Sequence, residues 1–365
     1  MISISSYSFA GPSFDQLESL HSILSSANHG LVAWDSEWAG RLPISIDKAI
    51  ERMRSIRKDY AVLDRVTLLS MLLAQSATHG FESKDMIVLV GSARGATSTL
   101  EAATASFLKG ERLAPQTSPI TTAGSISAMT ARHIGAESGA MSMSMTCGTG
   151  LQALVHACHL RKHGVSQNIL TGGVEAPLTP FTKAQFQSLR LLSKDQSSYP
   201  SQPLTFEGNR VVLSEGGGFL LLGEGGVFEI IGWGEAMSVE GSAVTFSQEA
   251  MERSMGLALS MSKLDTVDVV VPHAPGTQLG DRLELDAIER LMPMAKVYSS
   301  KWATGHSLGA SGMLGVATAL LILEGRDYSM PHLQGSASTK DADTVMVNAS
   351  GFGGNCTTVI LRKRN

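Results

Sequence analysis

Ser142-Met143-Ser144-Met145-Thr146-Cys147-Gly148-Thr149-Gly150-Leu151-Gln152-Ala153-Leu154 reads as a strand, a tight turn and the start of a helix. The turn carries one cysteine. A thiol placed there faces the N-terminus of the helix, whose partial positive charge favours thiolate and stabilises a developing oxyanion. Gly148 and Gly150 are expected to let the backbone turn sharply and a substrate approach closely. On this stretch alone two readings stand level: Cys147 as a nucleophile, or a buried cysteine that ends a strand. A strand–turn–helix unit of this kind belongs to an α/β protein.

Working outward, Leu151, Leu154, Val155 and Cys158 recur at helical spacing and form a buried face, with Cys158 in the core. His156, His159 and His163 share another face; with no cysteine or carboxylate among them they read as a solvated or partly paired face. Met86–Val90, Asn168–Gly173 and Phe219–Leu222 are apolar runs of the kind that form strands buried on both faces. Upstream, Ile2–Phe9 alternates as a short strand, residues 12–50 read as irregular, and Glu51–His79 reads as one long helix. The basic start of that helix (Arg52, Arg54, Arg57, Lys58) is a solvated face, or more sharply a docking patch for an acidic carrier protein. Gly223–Gly226 is the best boundary, giving halves 1–225 and 226–365. Beyond it strands and helices recur in similar order, so the halves are expected to be two similar β/α units, each on a mostly parallel sheet.

Composition narrows the classes. The 365 residues are 43% hydrophobic and 17% charged, enough for one double-sized unit or two domains. A net charge of −4 and a pI near 6.2 give no basic surplus for nucleic acid or an anionic membrane surface. Three scattered cysteines without a CxxC pair argue against a disulfide framework or a zinc cluster and for a cytoplasmic setting. No apolar run reaches the length of a membrane span, and the first residues lack the pattern of a secretory signal.

Chemistry gathers at three further places where strands hand over to loops. Pro272-His273-Ala274-Pro275-Gly276-Thr277-Gln278-Leu279-Gly280-Asp281 leads into a helix carrying Glu284. Lys301-Trp302-Ala303-Thr304-Gly305-His306-Ser307-Leu308-Gly309-Ala310-Ser311-Gly312 follows, and then Ser350-Gly351-Phe352-Gly353-Gly354-Asn355-Cys356. Each histidine sits after an apolar strand and before a helix, a way to hold an imidazole over a pocket. Two of them, with a cysteine on a similar turn and a glycine-rich loop, point to a catalytic centre.

These four motifs together resemble the β-ketoacyl-acyl-carrier-protein synthases of the thiolase-like superfamily, the KAS I/II-like branch with a Cys-His-His triad. TCGTG resembles the nucleophile turn, HAPGTxxGDxxE the first-histidine motif, KxxxGHSLGASG the lysine and second-histidine motif, and GFGGN the C-terminal glycine loop. TGGVEAPLTP and PLTFEGNRVVLSEGGG also resemble family segments, and the likeness runs from about residue 50 to the C-terminus.

The resemblance implies a thiolase-like five-layer αβαβα fold and a dimer, of two copies or with a related ketosynthase subunit. It implies that Cys147 accepts an acyl chain from an acyl carrier protein, and that His273 and His306 bind the malonyl thioester carbonyl and assist decarboxylation. The backbone N–H groups of Cys147 and Phe352 would form an oxyanion hole. Lys301 and Glu284 would form a charge network beneath the histidines. Thr277, Asp281, Gly351, Gly353 and Gly354 would contact substrate. No metal or resident cofactor is implied, since phosphopantetheine arrives on the carrier. The family usually has threonine where this chain has Pro275, which removes a hydroxyl and an N–H from the expected pantetheine tunnel. A non-catalytic chain-length-factor subunit is the leading alternative, and Cys147 with both histidines counts against it. A thiolase and an initiating synthase with Cys-His-Asn fit less well: Cys356 follows the glycine loop, and His306 stands where the latter has asparagine.

Overall fold

Ile2–Ala10 lies at the centre of a ten-stranded mixed sheet in the computed structural model, which describes residues 1–242, 246–335 and 338–364. On one side of it run Gly216–Gly223, Ile169–Glu175, Ile87–Gly91 and, at the edge, Gly139–Met143. On the other run Phe228–Met237, Asn355–Lys363, Thr344–Gly351, Val269–Val271 and, at the far edge, Lys296–Val297. The two sides repeat one pattern: outer pairings parallel, inner pairings antiparallel. The halves are therefore similar, but each sheet is mixed rather than mostly parallel. The antiparallel strands are Gly216–Gly223 and Phe228–Met237, which flank Ile2–Ala10, and the closing pair Thr344–Gly351/Asn355–Lys363.

Three apolar cores separate the layers. One lies between the first half-sheet and helices Arg65–Ala77 and Ser125–Ile134, another between the second half-sheet and helices Gln248–Ser262 and Gln278–Leu291. The largest surrounds helices Thr149–Lys162 and Ser311–Leu323, which pack between the two half-sheets. All thirteen residues of Ser311–Leu323 are buried, so this helix has no polar face. Helix, sheet, helix, sheet, helix is the five-layer αβαβα arrangement. The two central helices each begin beside a reactive motif, one after Cys147 and the other after His306.

Two local expectations fail. Residues 12–50 are not irregular: they hold helix Leu17–Ser25, the hairpin Leu31–Trp34/Glu37–Gly40 and the start of helix Ile44–Ile56. Glu51–His79 is not one helix. Ile44–Ile56 ends at Arg57, whose backbone is extended, and Arg65–Ala77 starts afresh. Asp64 is the reason for the restart: its carboxylate caps the second helix by accepting from the Val66 N–H at 3.0 Å.

Arg65, opening that helix, reaches Glu215 through Nε at 2.6 Å and Nη2 at 3.0 Å, and Asp47 at 2.6 Å. Burial alone would lower the guanidinium pKa; hydrogen bonds and charge from Glu215, then Asp47, outweigh it and hold it raised. Glu215 is buried and also accepts from the Leu42 N–H at 3.2 Å. Arg65→Met is expected to strand that carboxylate and cost about 3 kcal/mol, the low end for a broken buried pair. The low end applies because the Arg65 side chain is 29% exposed. Urea unfolding of both proteins measures this, and a loss under about 1 kcal/mol would show the pair to behave as a surface one.

Candidate active site

The strand Gly139–Met143 ends four residues before Cys147, and Gly148 caps helix Thr149–Lys162. The turn between them is made by Thr146, at φ 52°, not by the glycines, neither of which has positive φ. Thr149 locks it: its hydroxyl accepts from the Met145 N–H at 2.7 Å and donates to the Thr146 carbonyl at 2.5 Å. Gly148 and Gly150 serve close packing instead. A Cβ on Gly148 would lie 2.7 Å from Asn355 Oδ1, and one on Gly150 2.6 Å from the Gly309 carbonyl. The two halves of the chain meet at these glycines.

His306 comes from the second half. Its N–H donates to the Val212 carbonyl at 2.7 Å and its carbonyl accepts from Ser214 N–H at 3.0 Å, which ties its backbone to the strand Leu213–Ser214. Its Nε2 lies 3.3 Å from Cys147 Sγ and its Nδ1 lies 2.9 Å from Ser311 Oγ. His273 follows the strand Val269–Val271, and its ring stands edge-on to His306 with centroids 5.2 Å apart. The Cys147 sulfur and one nitrogen of each histidine all lie within 4.8 Å of one another.

Glu284 and Lys301 support this group from below. Glu284 accepts the His273 N–H at 2.7 Å, the Ala274 N–H at 2.8 Å and the Asn348 amide at 3.2 Å, so it clasps the backbone that presents His273. The Lys301 ammonium donates to the Pro272 carbonyl at 3.3 Å. Among the described residues the two form no direct ion pair; the expected charge network acts through space, with Glu284 raising the Lys301 pKa. Burial is the stronger effect and holds Lys301 at about 8.

Burial and then the Lys301 charge push His306 down to about 3, and the same causes, joined by His306, hold His273 well below its ordinary value. Both imidazoles are neutral at physiological pH. Burial, then the Glu175 carboxylate, raises the Cys147 thiol, while Lys301 lowers it. Sulfur and imidazole thus form a neutral pair, with His306 Nε2 placed where it could accept the S–H proton. The helix N-terminus favours negative charge on sulfur but does not outweigh its burial.

Glu175 is fully buried. Its Oε1 accepts the Ala93 N–H, the Arg94 N–H at 3.3 Å and the Ser92 hydroxyl at 3.3 Å. Burial lifts its pKa to about 7 against those hydrogen bonds. Above that pH the carboxylate is charged and raises the thiol. Glu175→Gln is therefore expected to move the pH profile of Cys147 alkylation by iodoacetamide to lower pH. An unmoved or alkaline-shifted profile would remove Glu175 from the electrostatics of the sulfur.

The reactive atoms face a cavity of about 20 Å³, room for one water molecule. Pro275, Thr277, Gly351 and Phe352 line it, as does Phe246, whose ring meets Phe352 edge-on at 6.0 Å. The Phe352 carbonyl accepts from Thr146 Oγ1 at 3.3 Å and Asn355 Nδ2 at 3.1 Å, which fixes the glycine loop against the nucleophile turn. A side chain on Gly351 would collide with Thr146 Oγ1, while Gly353 and Gly354, at φ 87° and 76°, make the turn. Neither Gly353 nor Gly354 lines the cavity, and nor does Asp281. Asp281 is spent on structure: it accepts from Thr277 N–H at 2.8 Å, Thr277 Oγ1 at 3.0 Å, Gly276 N–H at 3.1 Å and Leu204 N–H at 3.0 Å. It shapes the loop that presents Pro275 and Thr277.

Two family models match the chain. The beta-ketoacyl synthase N-terminal domain matches residues 53–225 and the beta-ketoacyl synthase C-terminal domain matches residues 228–335. The chain belongs to the β-ketoacyl synthase family. A 3-oxoacyl-[acyl-carrier-protein] synthase 2 of Synechocystis is 27% identical over 347 residues, covering 84% of this chain and 83% of that protein. A polyketide beta-ketoacyl synthase of Streptomyces halstedii is 28% identical over 266 residues, covering 63% of this chain. The chain spans 62% of the length of that relative. Two solved structures share the fold of this ketoacyl synthase. They are the ishigamide ketosynthase/chain length factor (TM-score 0.89, 19% identity, 100% of this chain and 99% of that one) and AntDE:AntF, a type II PKS acyl-carrier protein in complex with its ketosynthase (TM-score 0.86, 18% identity, 99% of each chain).

A thiolate and two imidazoles are also a zinc-type donor set, but the surroundings fit a ketoacyl synthase better. Zinc-bound histidines usually give their second N–H to a carboxylate or carbonyl. Here His306 Nδ1 meets a serine hydroxyl, and His273 Nδ1 has no partner among the described residues. The face His156/His159/His163 holds no such cluster: His159 accepts from Trp233 Nε1 at 3.1 Å, and His156 sits 3.8 Å from Glu235.

Thr146, Ser311, Asn355 and Glu175 all stand inside the quoted segments but, Ser311 apart, nothing in their local sequence shows the work they do. Ser311 had one available signal: it lies five residues after His306, where a helix begins, within reach of the ring.

Proposed function

We propose that this chain is a condensing acyltransferase, a 3-oxoacyl-[acyl-carrier-protein] synthase. It joins an acyl thioester held on Cys147 to malonyl-acyl-carrier protein in fatty-acid, polyene or polyketide chain elongation. The observation that carries this reading is the 3.3 Å contact of Cys147 Sγ with neutral His306 Nε2, with His273 beside both. In the first step the sulfur attacks the acyl thioester and His306 takes its proton. The carrier thiol leaves with that proton. In the second, the malonyl carboxylate departs as CO₂ and leaves an enolate whose oxygen His273 and His306 stabilise by donated hydrogen bonds, His306 through Nε2 in the tautomer whose Nδ1 accepts from the Ser311 hydroxyl, the single N–H having exchanged from Nδ1 to Nε2 through solvent after acylation. The enolate carbon attacks the acyl carbonyl, the Cys147–acyl bond breaks, and sulfur regains a proton from water. The N–H groups of Cys147 and Phe352 are the proposed donors to the tetrahedral oxyanion.

The small cavity means that Phe352 or Phe246 must shift before an acyl chain fits. Phosphopantetheine is supplied by the carrier, so no resident cofactor enters this scheme, and no metal, nucleic acid or membrane does either. The partners are the acyl and malonyl carriers and a second ketosynthase subunit, identical or related, in the cytoplasm. Among the described residues no helix is long and apolar enough to cross a membrane.

A chain-length-factor role would need no nucleophile, and the intact Cys147–His306 pair speaks against it. Intact-protein mass after incubation with acyl carriers of several chain lengths tests the choice. The expected result is one acyl group per chain, mapped to Cys147. Absence of any adduct across the panel would return the subunit reading.

A further inference from the structure

The proposed reaction asks two opposite things of one nitrogen. In the first step His306 Nε2 must be bare, to take the thiol proton across 3.3 Å; in the second it must carry a proton, to donate to the enolate oxygen. A neutral imidazole holds one N–H, so the proton sits on Nδ1 in the first state and on Nε2 in the second. Whatever meets Nδ1 must therefore accept in one state and donate in the other. A backbone carbonyl serves only the first, and a backbone N–H only the second. The group this chain places there is a hydroxyl, Ser311 Oγ, at 2.9 Å. His273, which only donates in that reaction, has no partner at Nδ1 among the described residues.

A hydroxyl that reverses its bond to the ring must also reverse whatever bond it makes on its other side. Ser311 Oγ has no second protein partner among the described residues. Ser311 does line a buried cavity of about 10 Å³, close to the smallest space that holds one water. Lys301, Ser307, Ser299 and Thr304 line it as well, and all four are buried. Ser307 Oγ has no partner among the described residues, and the Lys301 ammonium, with three N–H groups, gives one to the Pro272 carbonyl. Ser311, Ser307 and Lys301 together offer a water the three partners that a buried water usually keeps. Lysine can only donate. A water in this cavity goes on accepting from Lys301 while its bond to Ser311 changes direction.

We propose that Ser311 is the positioning residue that lets His306 work in both tautomers: its hydroxyl accepts from Nδ1–H while Nε2 serves the thiol, and donates to Nδ1 while Nε2–H serves the enolate, with one water in the cavity shared with Lys301 and Ser307 reversing alongside it. This rests on the condensing reading above and deepens it. The proton itself passes between the two nitrogens through solvent; the hydroxyl keeps the two forms close in energy, because neither leaves Nδ1 without a partner.

Ring nitrogens of the full chain, labelled in histidine with nitrogen-15, report the tautomer by magnetic resonance, and His306→Ala assigns the signal. At pH 7, where the ring is neutral, the free enzyme is expected to hold the proton on Nδ1. Alkylation of Cys147 by iodoacetamide removes the S–H donor without any turnover and is expected to move the proton to Nε2. Ser311→Ala leaves a buried Nδ1–H with no acceptor. It is expected to shift the tautomer ratio of the free enzyme about tenfold toward Nε2–H, the order of one unmade hydrogen bond. Acylation should then fall about tenfold further than condensation from pre-acylated enzyme does. One tautomer throughout in the wild type, a Ser311→Ala spectrum identical to that of the wild type, or equal losses in the two steps overturns the proposal. If the tautomer changes on alkylation but the wild type takes no acyl group from any carrier, the condensing reading falls and the switch stands. If the wild type acylates and condenses with His306 fixed in one tautomer, the switch alone falls.

Discussion

His273→Ala is expected to lower condensation by roughly 10²–10³, the usual cost of removing one donor to a developing oxyanion, while Cys147 is still acylated at close to the wild-type rate. The split follows from the geometry. His273 does not touch the sulfur by any hydrogen bond among the described residues, and it faces His306 across the cavity where the malonyl carbonyl would sit. Glu284 holds the backbone of residue 273 through two N–H groups, and the alanine variant keeps both. The loop should therefore stay in place and the loss be confined to the ring. Two rates separate the effects: single-turnover acylation by intact mass, and 3-oxoacyl product formation from pre-acylated enzyme. Equal losses in both would mean that His273 supports the nucleophile instead.

His306→Ala should damage both steps. Its Nε2 is 3.3 Å from the sulfur, and the thiol it serves is raised by burial, so little thiolate exists without a base. Removing a positioned base typically costs roughly 10²–10⁴. Acylation should fall by that factor at neutral pH and recover as the pH rises toward the thiol pKa, because hydroxide then does the work of the base. Condensation falls as well, through the lost enolate donor. A variant that acylates normally at pH 7 would show that another group deprotonates Cys147. The 3.3 Å contact of His306 with the sulfur makes the two histidine variants differ in acylation.

Much of this centre is legible in the chain because each reactive residue lies in a short local pattern. Cys147 and His273 each stand between a strand and a helix, whereas His306 follows the short helix Lys301–Thr304 rather than a strand. The supporting residues are harder to read. Glu175 acts on the Ser92–Arg94 segment more than eighty residues away, and Asn355 acts on Thr146 from the opposite half. No local periodicity records such contacts. Asp281 stands in a recognisable motif, but its structural work is not legible there: four donors from the loop and from Leu204 use both its oxygens. The glycines of the nucleophile turn mislead, because close packing and positive φ demand the same residue and the sequence does not separate them. The helix break at Arg57–Asp64 was signalled by Asp64 before an apolar run, a capping pattern outweighed by the long apolar stretch around it.

The most direct test of one shared centre is the balance of a single turnover. Enzyme carrying one acyl group on Cys147 is mixed with malonyl-carrier protein, and CO₂, 3-oxoacyl thioester and free Cys147 are counted together. The three should appear in equal amounts and at one rate. Release of CO₂ with the acyl group still on Cys147, or product formed equally well by Cys147→Ala, would mean that the sulfur and the two imidazoles do not act on the same reaction.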